Sequence, residues 1–348
     1  MGVNLTPIVV RHLVRLENLA GRKLAVDANN YLYQFLALVR LPDGVPLRSP
    51  DGTVTSHLAG LLYRTTRLIS DYGLNLIFVF DGKPPEHKAK EIEKRRAMRE
   101  KATEKWQEAL AAGDYAAAFS KAVMTSRLTQ SMVEDAKKLL DVLGVPFVQA
   151  PSEAEAQAAY MAGRGDVWAS SSRDYDSLLF GTPRLLRYLT ISGREFLPSK
   201  RASRPLKPEL IILEEFLSEC GITRLQLIDL AILIGTDFNE GVKGIGPKTA
   251  LKLMRKYGAI ENLSGDVRRE IPAYYEDVRR LFLEPEVTSE YTTDYRQPKE
   301  EELYTFLCGE RGFSRDRVEK AVERIKGSRK AIEQADLKRW FTEADQPI

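Results

Sequence analysis

Seven carboxylates carry the strongest chemical signal in this chain, because most of them follow a short apolar run or open a helical pattern. Four of them form two acid-x-acid pairs, one in PSEAEA and one in RDYDSL. Open α/β sheets bind their ligands in a crevice at the carboxyl ends of the strands, so we expect these acids to share one pocket. They are Asp27, Asp81, Glu153, Glu155, Asp174, Asp176 and Asp237.

Bare acids in one pocket would repel one another, since two unit charges ~4 Å apart cost about 4 kcal/mol at an effective dielectric of ~20. Cations that prefer oxygen ligands remove this repulsion, and Mg²⁺ typically joins carboxylates to substrate phosphates while keeping several waters. The pattern therefore predicts a pair of Mg²⁺ ions and the hydrolysis of a phosphodiester.

Each acid also has a purely structural interpretation. Ser152 and Glu155 satisfy the S-x-x-E capping box, so Glu155 is a candidate helix cap. Asp27 precedes a helical pattern and is a candidate N-cap, and Asp81-Gly82 is a common turn pair. For the set as a whole the structural alternative is a Ca²⁺ site, although the sequence contains no EF-hand loop.

The composition fits a globular protein, with 43% hydrophobic and 29% charged residues among 348. The net charge is only +3, so nucleic-acid binding would depend on local basic patches. Cys220 and Cys308 are isolated, which argues against zinc or a disulfide framework and suits an intracellular protein. No segment is apolar enough to span a membrane or serve as a signal peptide, so we expect a cytoplasmic location and no membrane partner.

Strand and helix patterns alternate along much of the chain, which predicts an α/β fold with a mostly parallel central sheet flanked by helices. We expect a hairpin over Leu185–Leu197 and nearly continuous helix after Leu213. The predicted strands are residues 23–26, 75–80, 145–148 and 167–169, and the predicted helices are 28–38, 55–70, 132–143 and 152–162.

Residues 86–125 interrupt this alternation. From Glu86 to Glu108 there are eight Lys/Arg and six Asp/Glu but few apolar residues, a pattern typical of a helix outside the core. One interpretation is a solvated insertion held by i,i+4 ion pairs. In the other interpretation, Lys88, Arg95 and Arg99 share one helix face just after Asp81 and would present cations to a phosphate near the metals.

The segment GVKGIGPKTA at 241–250 lies between two helical patterns. Its glycines allow a close approach to a phosphate, and Pro247 suits the first position of a helix whose free N–H groups would face an anion. Lys243, Lys248 and Lys252 add positive charge. We expect a helix–hairpin–helix contact to a DNA backbone, although an ordinary helical turn would look similar.

Near the C-terminus, Gln334, Leu337, Trp340 and Phe341 form the pattern Q-x-x-L-x-x-W-F in a polar tail. Paired aromatics on an exposed tail are typical of segments that dock into a partner's pocket. The alternative is a terminal helix that packs the same side chains on the protein's own core.

Taken together, these segments resemble the flap endonuclease family, which are structure-specific 5′ nucleases of DNA replication and repair. The short tail is similar to that of archaeal members. The resemblance covers most of the chain in the family's order, through VDANNYLYQFL at Val26–Leu36, TSHLAGLLYRTTRL at Thr55–Leu68, VFDGKPPEHK at Val79–Lys88, APSEAEAQAAY, DYDSLLFG, ILIGTDFNEGVKGIGPKTAL, FLEPEV and EEELYTFLCGERGFS.

The resemblance implies a PIN-like 5′ nuclease fold and roles for particular residues. The seven acids would bind two Mg²⁺ ions, with Mn²⁺ as a substitute, and a K⁺ ion would lie at the helix–hairpin–helix element. Arg173 departs from the family, which often has a small or acidic residue there. The implied roles are catalysis by Lys88, Arg95 and Tyr33, DNA binding by Gly2, Arg64, Arg67, Lys243, Gly244, Gly246, Lys248 and Lys252, and sliding-clamp binding by Gln334, Leu337, Trp340 and Phe341.

The implied function is cleavage of the phosphodiester near the base of a 5′ flap, with an associated 5′→3′ exonuclease activity, by a monomer that binds branched DNA and a sliding clamp. The alternatives are a related exonuclease or junction resolvase, and a non-catalytic scaffold bound to the clamp.

The expected organisation is one nuclease core at 1–330 and a clamp-binding tail at 331–348. The core comprises an N-terminal α/β part at 1–85, an arch at 86–125, an internal α/β part at 126–235, the helix–hairpin–helix at 236–270 and a helical part at 271–330.

Overall fold

A seven-stranded sheet forms the centre of the computed structural model, which describes residues 2–41, 43–189, 194–197, 202–205 and 207–328. Its strand order is β1-β9-β6-β5-β2-β3-β4. Neighbours from β6 to β4 are parallel, while β9 runs antiparallel to both β6 and β1. The strands are β1 (His12–Leu13), β2 (Lys23–Asp27), β3 (Asn75–Phe80), β4 (Phe147–Gln149), β5 (Ala169–Ser171), β6 (Arg184–Arg187), β7 (Arg194–Leu197), β8 (Ala202–Pro205) and β9 (Glu209–Ile212).

Helices cover both faces of this sheet, as the alternation of elements predicts. They are α1 (Ala28–Leu38), α2 (Ser56–Tyr72), α3 (Ala89–Ala111), α4 (Tyr115–Ala122), α5 (Gln130–Leu143), α6 (Ala154–Gly163), α7 (Asp176–Leu179), α8 (Leu213–Cys220), α9 (Arg224–Ile234), α10 (Pro247–Tyr257), α11 (Gly265–Glu270), α12 (Tyr275–Leu283), α13 (Glu300–Tyr304) and a helix at 315–328. Within the described residues, no helix is both long enough and apolar enough to cross a lipid bilayer.

Side chains of the central strands alternate between two hydrophobic layers. Along β3, Leu76, Phe78 and Phe80 join the cluster formed with α1, α2 and α5, whereas Ile77 and Val79 join the cluster formed with α6. A strand buried on both faces must be apolar at successive positions, which explains the unbroken run in this segment. The fold prediction of an α/β protein with a mostly parallel sheet is confirmed.

Three local predictions were wrong. The hairpin expected over Leu185–Leu197 does not form, because β6 pairs with β5 and β9 in the main sheet while β7 pairs with β8. Strand β5 begins at Ala169, two residues later than expected. Residues 284–299 form no helix or strand, and Tyr295 from this segment bonds both the amide and the carbonyl of Leu76.

The interruption at 86–125 is a pair of helices that projects from the sheet. Lys88, just before α3, and Arg95 and Arg99 on that helix are half-buried, while most residues between them are exposed. Helix α4 returns towards the chain near residue 44, where a Cβ on Gly44 would lie 2.7 Å from the Ala122 Cβ. We refer to residues 86–125, which include α3 and α4, as the arch.

Candidate active site

Six of the seven acids close or follow parallel strands that end at the same edge of the sheet. Asp27 closes β2, Asp81 follows β3, and Asp237 lies in the loop after α9. Glu153 and Glu155 stand at the start of α6, after β4, and Asp174 and Asp176 follow β5. Because β2, β3, β4 and β5 are parallel, their carboxyl ends point the same way.

Electrostatic coupling connects these acids into one cluster. Burial and then the charge of Asp81 raise the pKa of Asp27 well above its usual value. Burial and then Asp176 raise the pKa of Glu155, while burial followed by Asp237 and Asp174 raises the pKa of Asp176 to about 7. Such shifts mark acids that are buried together with like charges around them.

Two cations of the arch lie against this cluster. The Lys88 Nζ is 2.5 Å from Glu153, and Arg95 donates to Asp237 at 2.5 Å and to Glu91 at 2.9 Å. Burial opposes the ionised form of Asp237, but nearby positive charges that include Arg95 and Lys88 outweigh it and lower the pKa. Two residues of the predicted cationic face, Lys88 and Arg95, therefore reach the acids directly.

Two asparagines that the sequence analysis did not identify orient the acids. Asn29 donates to Asp81 at 2.8 Å, and Asn30 donates to Asp174 at 2.9 Å. Gln34 donates to the Asn30 oxygen at 2.7 Å and fixes the orientation of its amide. The signal was a polar pair directly after the strand-ending Asp27, where a helix buried against the sheet would otherwise be apolar.

The structural interpretations of the acids fare differently. Asp27 does cap α1, because it accepts the Asn30 N–H at 2.9 Å. The capping box is wrong, since the N-cap of α6 is Glu153 and the Glu153 side chain makes no capping hydrogen bond. Asp81 accepts the Ala154 N–H at 2.8 Å, so it links β3 to the start of α6.

The donor set fits hard divalent cations, although the side chains are not arranged around one. Among the described residues, no three or more Asp, Glu, His or Cys side chains form a group that could hold a metal ion as they stand. The carboxylates instead engage Lys88, Arg95 and the asparagines. The Asn29 Oδ1 is buried and accepts no hydrogen bond from the described residues. A hydrated cation would give this oxygen a water as donor and would neutralise the acids.

The remaining residues expected near the site come from the N-terminus, α1 and α2. A Cβ on Gly2 would collide with the Asp176 carboxylate, so only glycine fits there without displacement. Tyr33 is 38% exposed on α1. Arg64 donates to the Leu189 carbonyl at 3.3 Å, and Arg67 is exposed and pairs with an acid one turn away on α2.

The segment around GIGPKTA forms a helix–hairpin–helix. Its first helix is α9, which begins before the predicted boundary at residue 236, and its second is α10 with Pro247 at the first position. Gly244 has φ +81°, a conformation that side chains disfavour. Three lysines of the segment, Lys243, Lys248 and Lys252, are exposed. Gly246 is the N-cap of α10.

The four residues of the clamp-binding motif, Gln334, Leu337, Trp340 and Phe341, lie outside the described residues. Their role stays a prediction from the sequence.

Comparisons with known proteins show which family the chain belongs to. The model of the XPG N-terminal domain matches residues 1–102, and that of the XPG I-region matches residues 144–237. The first region contains two of the seven acids and the second contains the other five. Flap endonuclease 1 of Pyrococcus abyssi is 50% identical over 342 residues, covering 98% of each chain. That of Archaeoglobus fulgidus is 49% identical over 341 residues, covering 98% of this chain and 100% of the relative.

A solved structure extends the likeness to the whole fold. Flap endonuclease-1 from Methanococcus jannaschii superposes with a TM-score of 0.75 at 42% identity, covering 94% of this chain and 98% of that one. The chain therefore belongs to the flap endonuclease family.

We predict that Asp176→Asn stabilises the metal-free protein. The change removes a buried charge, whereas the amide oxygen can still accept the Val3 N–H that now bonds Asp176 at 2.8 Å. In EDTA above pH 7 the variant should gain about 1 kcal/mol, or roughly 2 °C in melting temperature. Because the pKa of Asp176 is raised to about 7, the gain should diminish as the pH falls from 7 towards 4.

Thermal unfolding of both proteins across this pH range measures the effect. Asp266→Asn, on an acid whose side chain is 95% exposed, is the control and should change little. A melting temperature for Asp176→Asn below that of the wild type at pH 8 would contradict the account.

Proposed function

We propose that this flap endonuclease cleaves DNA near the base of a 5′ flap with two divalent metal ions held by the seven acids. The observation that carries the proposal is the convergence of buried, mutually coupled carboxylates beside two cations of the arch. The names of the relatives support the flap as substrate. An associated 5′→3′ exonuclease activity, with roles in Okazaki fragment maturation and long-patch base excision repair, completes the proposal.

Mg²⁺ is the proposed cofactor and Mn²⁺ a substitute, because the donor set consists of carboxylates and an amide oxygen. When bound, two such ions supply activation of the attacking water and stabilisation of the leaving oxygen. Asn29 and Asn30 would hold the carboxylates in register, since each already donates to one of them.

The arch cations would neutralise charge on the scissile phosphate. Lys88 and Arg95 each contact an acid of the cluster, so a phosphate bound at the acids would lie within their reach. Tyr33, exposed on the helix that begins at Asp27, would stack on a base next to that phosphate.

Duplex DNA would bind away from the acids, on the helix–hairpin–helix. The exposed Lys243, Lys248 and Lys252 suit contacts to the backbone, as do the free N–H groups at the start of α10. We propose Gly2, Arg64 and Arg67 as further contacts on the active-site side and a K⁺ ion between the hairpin and a phosphate, both from the resemblance alone.

A sliding clamp is the proposed protein partner of a monomeric enzyme, through the Q-x-x-L-x-x-W-F motif. The adjacent aromatics Trp340 and Phe341, with Leu337 shortly before them in the sequence, suit an apolar pocket on a partner. The archaeal origin of the relatives supports work in the cytoplasm, where a prokaryotic chromosome lies.

We predict that the enzyme cuts a double-flap substrate near its junction in Mg²⁺ and not in EDTA. Nicked duplex should be cut more slowly, and a four-way junction slowest, because single-stranded ends reach the metals without unpairing. Mapping of the products on end-labelled substrates measures this. Asp176→Asn should bind the flap within about threefold of the wild type while losing most cleavage. Preference for the four-way junction would favour a resolvase instead.

We predict that Arg95→Gln lowers the single-turnover rate about 100-fold and changes flap affinity little, because Arg95 would contact the phosphate where charge develops. Arg96→Gln is a matched control, since Arg96 is adjacent on α3 but 78% exposed and paired with Glu100 at 3.2 Å. Rapid-quench cleavage in Mg²⁺ compares the two. Equal rates for both variants would refute the arch assignment.

We predict that deletion of residues 334–348 spares cleavage without a clamp and removes stimulation by the clamp. The motif is the part of the tail with apolar side chains suited to a partner pocket. Turnover with and without a sliding clamp measures both effects. Full stimulation of the truncated enzyme would contradict the role of the motif.

A further inference from the structure

Arg187 is a buried cation that the proposed mechanism does not use. It ends β6, next to β5, and its side chain is only 7% exposed. A guanidinium in such a place must have its charge and its donors satisfied, because an unpaired buried charge is strongly unfavourable. Its partners therefore show what it is built to hold.

Those partners converge on the loop that carries the acid-x-acid pair after β5. Arg187 donates from Nε to the Arg173 carbonyl at 2.9 Å and from Nη1 to the Tyr175 hydroxyl at 2.5 Å. The guanidinium carbon also lies 3.8 Å from the centre of the Tyr175 ring. Tyr175 stands between Asp174 and Asp176, so one cation fixes the backbone before the pair and the side chain within it.

The other side of Arg187 is anchored to the sheet. Nη1 lies 3.2 Å from Glu209 on β9, which neutralises the charge. Nη2 donates at 2.9 Å to the hydroxyl of Tyr188, whose backbone has φ +62°. A non-glycine residue rarely adopts this conformation, so surrounding contacts must hold it. Arg187 thus ties the acid loop to a rigid strand pair.

The N-terminal segment holds the same loop from the opposite direction. The Thr6 Oγ1 is 3.1 Å from the Tyr175 hydroxyl, and the Val3 N–H donates to Asp176 at 2.8 Å. The loop is therefore clamped between the start of the chain and Arg187.

We propose that Arg187 is a positioning residue that holds Asp174 and Asp176 in the geometry needed to bind a divalent metal ion. The inference rests on the proposed metal-dependent function. Residues that orient metal ligands typically contribute 10- to 100-fold to metal affinity. Arg187 contacts neither acid directly, so its loss should weaken metal binding without removing a ligand.

The test measures Mn²⁺ binding to the full chain without DNA, by the loss of the free-ion signal in electron paramagnetic resonance. Arg187→Met should weaken the affinity of at least one Mn²⁺ about tenfold or more. Arg187→Lys should behave similarly, because an ammonium keeps the charge but cannot reach the carbonyl and hydroxyl as a fork. Arg184→Met is the control, since Arg184 lies on the same strand but stacks on Trp168 at 5.5 Å and should bind Mn²⁺ normally.

Cleavage supplies a second readout. Arg187→Met should need about tenfold more Mg²⁺ for half its maximal rate, approach wild-type cleavage at high Mg²⁺, and bind flap DNA in EDTA within threefold of the wild type. Should Arg187→Met fail to fold, Tyr175→Phe decides, because it keeps the ring and removes only the hydroxyl that Arg187 and Thr6 contact. That variant should also weaken Mn²⁺ binding, by severalfold.

Two failures can be told apart. Suppose that the wild type binds two Mn²⁺ ions and the folded Arg187→Met binds them with equal affinity. The positioning role is then overturned and the metal-dependent function stands. If Arg187→Met is unfolded, equal affinity of Tyr175→Phe leads to the same conclusion. If the wild type binds no Mn²⁺ and cleaves in EDTA, both are overturned.

Discussion

Seven carboxylates carry charge of the same sign, six of them at the carboxyl edge of a parallel sheet, and their mutual repulsion constrains the structure around them. Burial and neighbouring acids raise the pKa of Asp27, Glu155 and Asp176. In general, two like unit charges ~4 Å apart repel by about 4 kcal/mol at an effective dielectric of ~20. Only counter-charge can relieve this repulsion while keeping the acids ionised and able to bind a metal.

Several elements from different parts of the chain reach the pocket, and each partly offsets the repulsion between the acids. The arch provides Lys88 and Arg95, and α1 provides the amides of Asn29 and Asn30. Hydrophobic layers on both faces of the sheet keep the strand ends in place against this strain. An active site that is destabilising in itself is a common feature of enzymes, whose function requires groups that the fold alone would not favour. Metal ions and DNA phosphate would complete the balance.

Much of this arrangement could be predicted from local patterns. Strands such as β3 are continuous apolar runs, and an acid after each run marks the end of the strand, so the position of Asp81 follows from sequence. The prediction of a capping box at Ser152 was wrong, because the same residue types occur at helix starts and in metal sites. Only the neighbours in three dimensions distinguish these two roles. The pairing of β6 with β9 also needs contacts between residues that are distant in sequence. The roles of Asn29 and Asn30 depend on hydrogen bonds to acids that lie more than 50 and 140 positions away in the sequence, respectively.

The central claim is that the acids gather two divalent ions against a DNA strand. Crystals of the wild-type enzyme with flap DNA and Mn²⁺, measured near the manganese absorption edge, test it most directly. The account predicts two anomalous peaks about 4 Å apart among the seven carboxylates, next to the scissile phosphate. Peaks only at other surfaces, or carboxylates still paired with Lys88 and Arg95 while the DNA is bound and the pocket holds no metal, would contradict it.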